Sequence, residues 1–283
     1  MTRALAAGLP YPFELGFMQR ALLAALCVGV FAPLIGTFLV QKRLSLIGDG
    51  IGHVAFAGVG AGVLLGVAEL WVALAFAIAG AVGVEWLRRR RRASGDVALA
   101  ILFYSGIALG VVLLSRADGL DGQVLSYLFG APLTVTRSEV ASIVALAVGV
   151  VAVVVALRRP LFSVVTDDDW SRVAGLPVDA LNALLAVVTA VAVVAAMRIV
   201  GILLVAAMMV LPVATAQLLA RSFAGTLRIA IGVGLVTSVA GLAASRFWGL
   251  APGGTIVLLA AVVFAVASIA RRALARSPVR AAA

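Results

Sequence analysis

Apolar residues run along this chain in long blocks, not in the short alternations of a half-buried strand or a surface helix. Nine blocks can be placed, at about 16–40, 44–68, 70–87, 97–115, 138–157, 180–197, 200–220, 227–245 and 254–270. A helix rising ~1.5 Å per residue needs about 20 such residues to cross a ~30 Å hydrocarbon layer, so each block is of spanning length. The pattern predicts an all-α, polytopic transmembrane helical bundle in which residues 1–283 form a single domain. Only Met197, Arg198 and Ile199 divide the sixth and seventh blocks, so eight spans stand beside nine if one helix is broken.

Charge orients the bundle. With nine spans and the N-terminus outside, the outer side receives Arg3, Arg20, Arg116, Arg137, Arg198 and Arg246, and the other sixteen of the 22 Lys and Arg fall inside. Merging the sixth and seventh blocks would turn the arginine-rich C-terminal end outward, so the chain is expected to reverse between them. Composition agrees with a membrane protein: 64% of residues are hydrophobic, 12% are charged and mean hydropathy is +1.20. The net charge of +10 sits at the ends of apolar blocks and does not imply nucleic acid. The one cysteine, Cys27, lies inside the first block, which excludes an intramolecular disulfide or a multi-cysteine metal site. That block is long and lacks a small-residue cleavage site, so no cleavable signal peptide is expected.

Two connections are long. The outer one, 115–138, carries Asp118 and Asp121 beside Tyr127 and Phe129, with a break at Pro132. It reads either as a short surface helix with acids for an external partner or as a solvated loop. The inner one, 158–179, has Thr166, Asp167, Asp168 and Asp169 as a helix start and Gly175 and Pro177 as stops, with Trp170 and Val173 as an apolar stripe between them. This predicts a short amphipathic helix on the cytoplasmic face, serving as a docking knob for a cytoplasmic partner. Acids in its first turn disfavour burial against an anionic leaflet.

The second block holds the candidate chemistry. Asp49 and His53, the only histidine, are four residues apart on a helix that is otherwise apolar and rich in glycine. Ionisable groups are costly in lipid and commonly mark a pathway or relay. Their spacing puts them on one face a turn apart, and counting from Arg43 places them ~9 Å and ~15 Å into the membrane. A carboxylate and an imidazole suit zinc, manganese or iron(II), whereas calcium or magnesium calls for oxygen ligands. Two ligands are few, and the chain offers no obvious third. A two-fold dimer with this helix near its axis would double the set for transient binding. The alternatives are that Asp49 caps its helix or bonds His53 in a buried structural pair. The glycines, Gly48, Gly50, Gly52, Gly58, Gly60 and Gly62, permit either close helix approach or a narrow passage. In the seventh block, Pro212 predicts a kink near the pathway, with Thr215 bonding back to the freed backbone and Met208 and Met209 packing.

These residues resemble a known family. RLSLIGDGIGHVAFAG carries the Arg43, Ser45, Gly48, Asp49, His53 and Gly58 pattern of the permeases of zinc and manganese ABC importers. The later run resembles the family's second signature at Val200, Gly201, Leu203, Leu204, Pro212, Ala214, Thr215 and Ala216. The inner loop is similar to its coupling element, with Ala174, Gly175 and Pro177 in place. Gly52, Val54 and Ala57 depart from the usual residues but leave the two ligands intact. The resemblance implies a permease homodimer and two cytoplasmic ATPase subunits on the coupling loops. It also implies an external protein that delivers the metal, which passes as cargo with no permanently bound cofactor.

The motor must be a separate subunit, because Lys42 is followed by Arg43 and no phosphate-binding G-x-x-x-x-G-K-[ST] loop exists. The expected function is therefore a permease subunit and not an enzyme. Two rivals remain at this stage: a permease for a larger cargo such as a metal chelate or corrinoid, and a proton-coupled carrier using Asp49 and His53 as a relay.

Overall fold

The computed structural model describes residues 12–89, 95–117 and 122–276. Twelve helices follow one another: α1 Gly16–Gln41, α2 Ile47–Leu65, α3 Glu69–Arg89, α4 Gly95–Arg116, α5 Gly122–Phe129, α6 Arg137–Ala156, α7 Arg158–Thr166, α8 Asp168–Val173, α9 Val178–Val200, α10 Ile202–Leu219, α11 Phe223–Trp248 and α12 Pro252–Arg276. Nine of the helices among the described residues are long and apolar enough to cross a membrane, in line with the nine-span reading. Gly201, at φ 94°, separates α9 from α10 in a backbone region that essentially only glycine adopts.

Helices α1, α2 and α9 form the buried centre of the bundle, whereas α4 and α12 are largely on its outside. With no hydrophobic force between helices in lipid, close backbone approach has to supply the packing energy, and small residues allow it. Gly29 of α1 and Gly234 of α11 face each other; a methyl on either would lie 2.9 Å or 2.5 Å from the other's carbonyl oxygen. Gly36 of α1 sits directly on the Met209 carbonyl of α10, one turn before Pro212.

The inner connection holds two helices instead of one. Pro160 lies in the first turn of α7, where a missing backbone N–H costs nothing, so the segment read as loop before Thr166 is helical. Thr166 ends α7 with its hydroxyl on the Phe162 carbonyl, and Asp167 is the cap of α8, accepting from the Trp170 amide at 2.9 Å. In the outer connection a short helix, α5, does form, followed by one 3₁₀ turn at Pro132–Thr134. Asp118 and Asp121 lie outside the described residues, as do Arg3, Arg280 and the arginines at 90–92.

Between α1 and α2 the chain turns at Arg43, a non-glycine residue at φ 59°. Leu44 and Arg43 donate their amides to the carbonyls of Leu39 and Val40, closing the end of α1 in the manner usually reserved for glycine.

Candidate metal site

Helix α2 is gripped on three sides through its glycines. Gly48 and Gly52 lie against Met209 and Ile202 of α10, Gly50 and Gly60 against α4, and Gly58 and Gly62 against Ala73 and Glu69 of α3. Close approach, not a glycine-lined passage, is thus what these residues serve. Stepping 100° per residue from Gly48 and Gly52 carries Asp49 and His53 away from the α10 contact toward α4. The pair therefore faces the seam between those two helices.

His53 is buried, its ring meeting the edge of Phe103 on α4 at 4.2 Å between centroids. Gly106 of α4 presses on the His53 backbone, where an added methyl would come within 2.8 Å. Asp49 is in the first turn of α2, so its charge complements the helix dipole, and its side chain keeps 30% exposure. Its Oδ1 stands 3.9 Å from His53 Nε2. That is within ion-pair range but too long for a hydrogen bond, and the helix's cap position is Leu46, so Asp49 does not cap α2. Two ligands each ~2.1 Å from one ion lie at most ~4.2 Å apart, so a single cation fits between these atoms without moving the backbone. Among the described residues no group of three or more His, Cys, Asp or Glu comes together. The thioether of Met209 lies beside Gly48, on the α10 side of the helix.

In α10 the helix runs unbroken through Pro212, which is buried. Proline there leaves the Met208 carbonyl without its amide partner. The Thr215 hydroxyl donates to Leu211 at 2.9 Å instead of to that carbonyl, and Met208 and Met209 are buried.

On the cytoplasmic face, Trp170 is 67% and Val173 81% exposed, forming an apolar knob on α8. Ala174 closes α8, Gly175 turns the chain at φ 80°, and Pro177 precedes α9. Arg172 donates to Asp179 at 2.6 Å, a bond that raises the Arg172 pKa further and ties α8 to the start of α9. Asp168 points back to the bundle, pairing with Lys42 at 2.9 Å.

Sequence reasoning placed Lys42 and Arg198 by side of the membrane but missed what they hold. Arg198 is buried near the outer end of α9, its Nε and Nη2 donating to Glu139 Oε1 at 2.7 Å and 2.6 Å. It also donates to the Ser126 hydroxyl and stacks over the Tyr127 ring at 4.6 Å. Burial pushes the Tyr127 phenol up to about 12, against the nearby cation. Glu139 Oε2 meanwhile accepts from the Thr136 amide at 2.8 Å, and Thr136 caps α6 in return. The T-x-x-E spacing was the available signal for that box.

Comparison with known proteins agrees with this architecture. Residues 14–271 match the model of the ABC 3 transport family. The chain is 32% identical over 251 residues to the manganese transport system membrane protein MntC of Halalkalibacterium halodurans, covering 89% of this chain and 86% of that one. It is 34% identical over 258 residues to the chelated iron transport system membrane protein YfeD of Yersinia pestis, covering 91% and 86%. Among solved structures, PsaBC from Streptococcus pneumoniae in complex with Fab superposes with a TM-score of 0.82 at 29% identity, covering 90% of this chain and 91% of that one. With nine apolar helices and a family match along nearly its whole length, this chain is a multi-pass membrane permease belonging to the ABC 3 transport family.

Proposed function

We propose that this chain is the permease subunit of an ATP-driven importer of a divalent transition metal, zinc or manganese first and iron next, working by alternating access. The observation that carries the reading is the Asp49–His53 pair in the first two turns of a buried helix, 3.9 Å apart and hydrogen-bonded to nothing among the described residues. Both atoms keep their lone pairs for a visiting cation, and two ligands hold it loosely enough for release. The manganese and chelated-iron systems in which its relatives take part support a transition metal as cargo.

Two copies of the chain would form the transport unit, with an external metal-binding protein delivering to the outer face. Cytoplasmic ATPase subunits would seat on Trp170 and Val173, with Asp167, Asp168, Ala174, Gly175 and Pro177 shaping that knob. Beside it, a hollow of about 350 Å³ between α7 and the α10–α11 turn, lined by Thr166, Gln217 and Arg221, offers further room for a partner. Pro212 and Thr215 would provide a loosened turn of α10 behind the pair. Lipid surrounds the bundle, and nucleic acid has no part.

The test is metal uptake by vesicles holding the permease with its ATPase and delivery protein. Asp49→Ala and His53→Ala each abolish uptake while the subunits still assemble. Normal uptake by both variants would end the site assignment.

A further inference from the structure

Lys42 is the only lysine in a chain whose other 21 strong cations are all arginine. Its side chain is 9% exposed, although it sits at the cytoplasmic end of α1 where water is within reach. Its ammonium bonds Asp168 of α8 at 2.9 Å and the Asn182 side-chain oxygen of α9. Its backbone amide closes α1 on the Phe38 carbonyl. Beneath it is a void of about 10 Å³, lined also by Ile47 of α2 and by Glu85 and Arg88 of α3, which pair at 2.9 Å. One compact ammonium thus stands where α1, α8 and α9 join, at the edge of α2 and α3.

We infer that Lys42 is the positioning residue that passes displacement of the exposed helix α8 to the block of helices carrying Asp49 and His53. This inference rests on the proposed function, because it presumes an ATPase that pushes on α8. Helix α8 is only 6 residues long and turns outward on Gly175, so without a tie to the bundle it would yield under load. Three side-chain ties hold it, Lys42–Asp168 to the end of α1, Ser171–Ser163 to α7 at 2.8 Å and Arg172–Asp179 to α9, and of these only the first reaches the turn into α2. Lys42 is also the last residue before the Arg43 turn into α2, seven positions from Asp49. A point charge with three donors reaches both acceptors at this junction.

The measurement is metal imported per ATP hydrolysed, with Mn²⁺ and Zn²⁺ as probes, in vesicles holding the permease, its ATPase and the delivery protein. Lys42→Gln should lower that ratio by about tenfold, with hydrolysis continuing. Asp168→Asn, at a carboxylate 42% exposed and so harmless to folding, should lower it to a similar extent. The double variant should be no worse than either, and Lys42→Arg should recover most of the ratio. Unchanged ratios in both single variants, losses that multiply in the double, or a Lys42→Arg as poor as Lys42→Gln would each overturn the inference. Failure of the unaltered permease to import either metal would instead sink the proposed function on which it stands.

Discussion

The two ends of the bundle use the same device differently. At each end one nearly buried cation holds a short non-spanning helix: Arg198 holds α5 outside, and Lys42 holds α8 inside. The outer junction is the tighter. Arg198 engages a carboxylate, a hydroxyl and a ring, and its own carbonyl accepts the Ala131 amide at 3.0 Å. Around it, Gly130, Gly201 and Gly253 bring three backbones into contact with no room for a methyl on any of them. The inner junction has two acceptors, a half-exposed carboxylate and a small void. A close-packed outer end and a looser inner end would suit the cytoplasmic ATPase proposed above.

The largest effect expected from that contrast is at the outer end. Gly201→Ala combines a glycine-only backbone conformation with overlap on Leu128, and it should prevent recovery of a folded permease by size-exclusion chromatography. Next, Arg198→Met should cost roughly 2–4 kcal/mol by leaving the partly buried Glu139 carboxylate without its cation, read as a lowered unfolding midpoint in detergent. Asp168→Asn at the inner end should cost less than about 1 kcal/mol in the same assay, because its carboxylate is half exposed. Equal losses at the two ends would erase the distinction. Gly175→Ala falls between those last two losses: its added methyl meets nothing, but its φ of 80° costs about 1–2 kcal/mol. Its consequence should appear as reduced stimulation of the ATPase with the permease still folded, and unchanged stimulation would remove the docking role.

Much of this was legible in one dimension. Long apolar blocks report spans directly, and their ends fell within a few residues of the helix ends. Asp49 and His53 stood out because an acid and an imidazole in lipid have few ordinary explanations. What escaped was set by long-range contact. Lys42 meets Asp168 across 126 residues and Arg198 meets Glu139 across 59, and nothing near either residue names its partner. Helix α7 escaped because Pro160 reads as a break until its place in a first turn is known. The glycines of α2 were visible as a group, but which neighbour each one admits depends on the packing.

That three-sided grip has a further consequence. Since α2 has almost no slack against α3, α4 and α10, its backbone cannot slide past any one of them alone. If Asp49 and His53 hold the proposed cargo, its exposure would change only as the packed helices move together, and delivery would come in discrete strokes rather than as a graded leak.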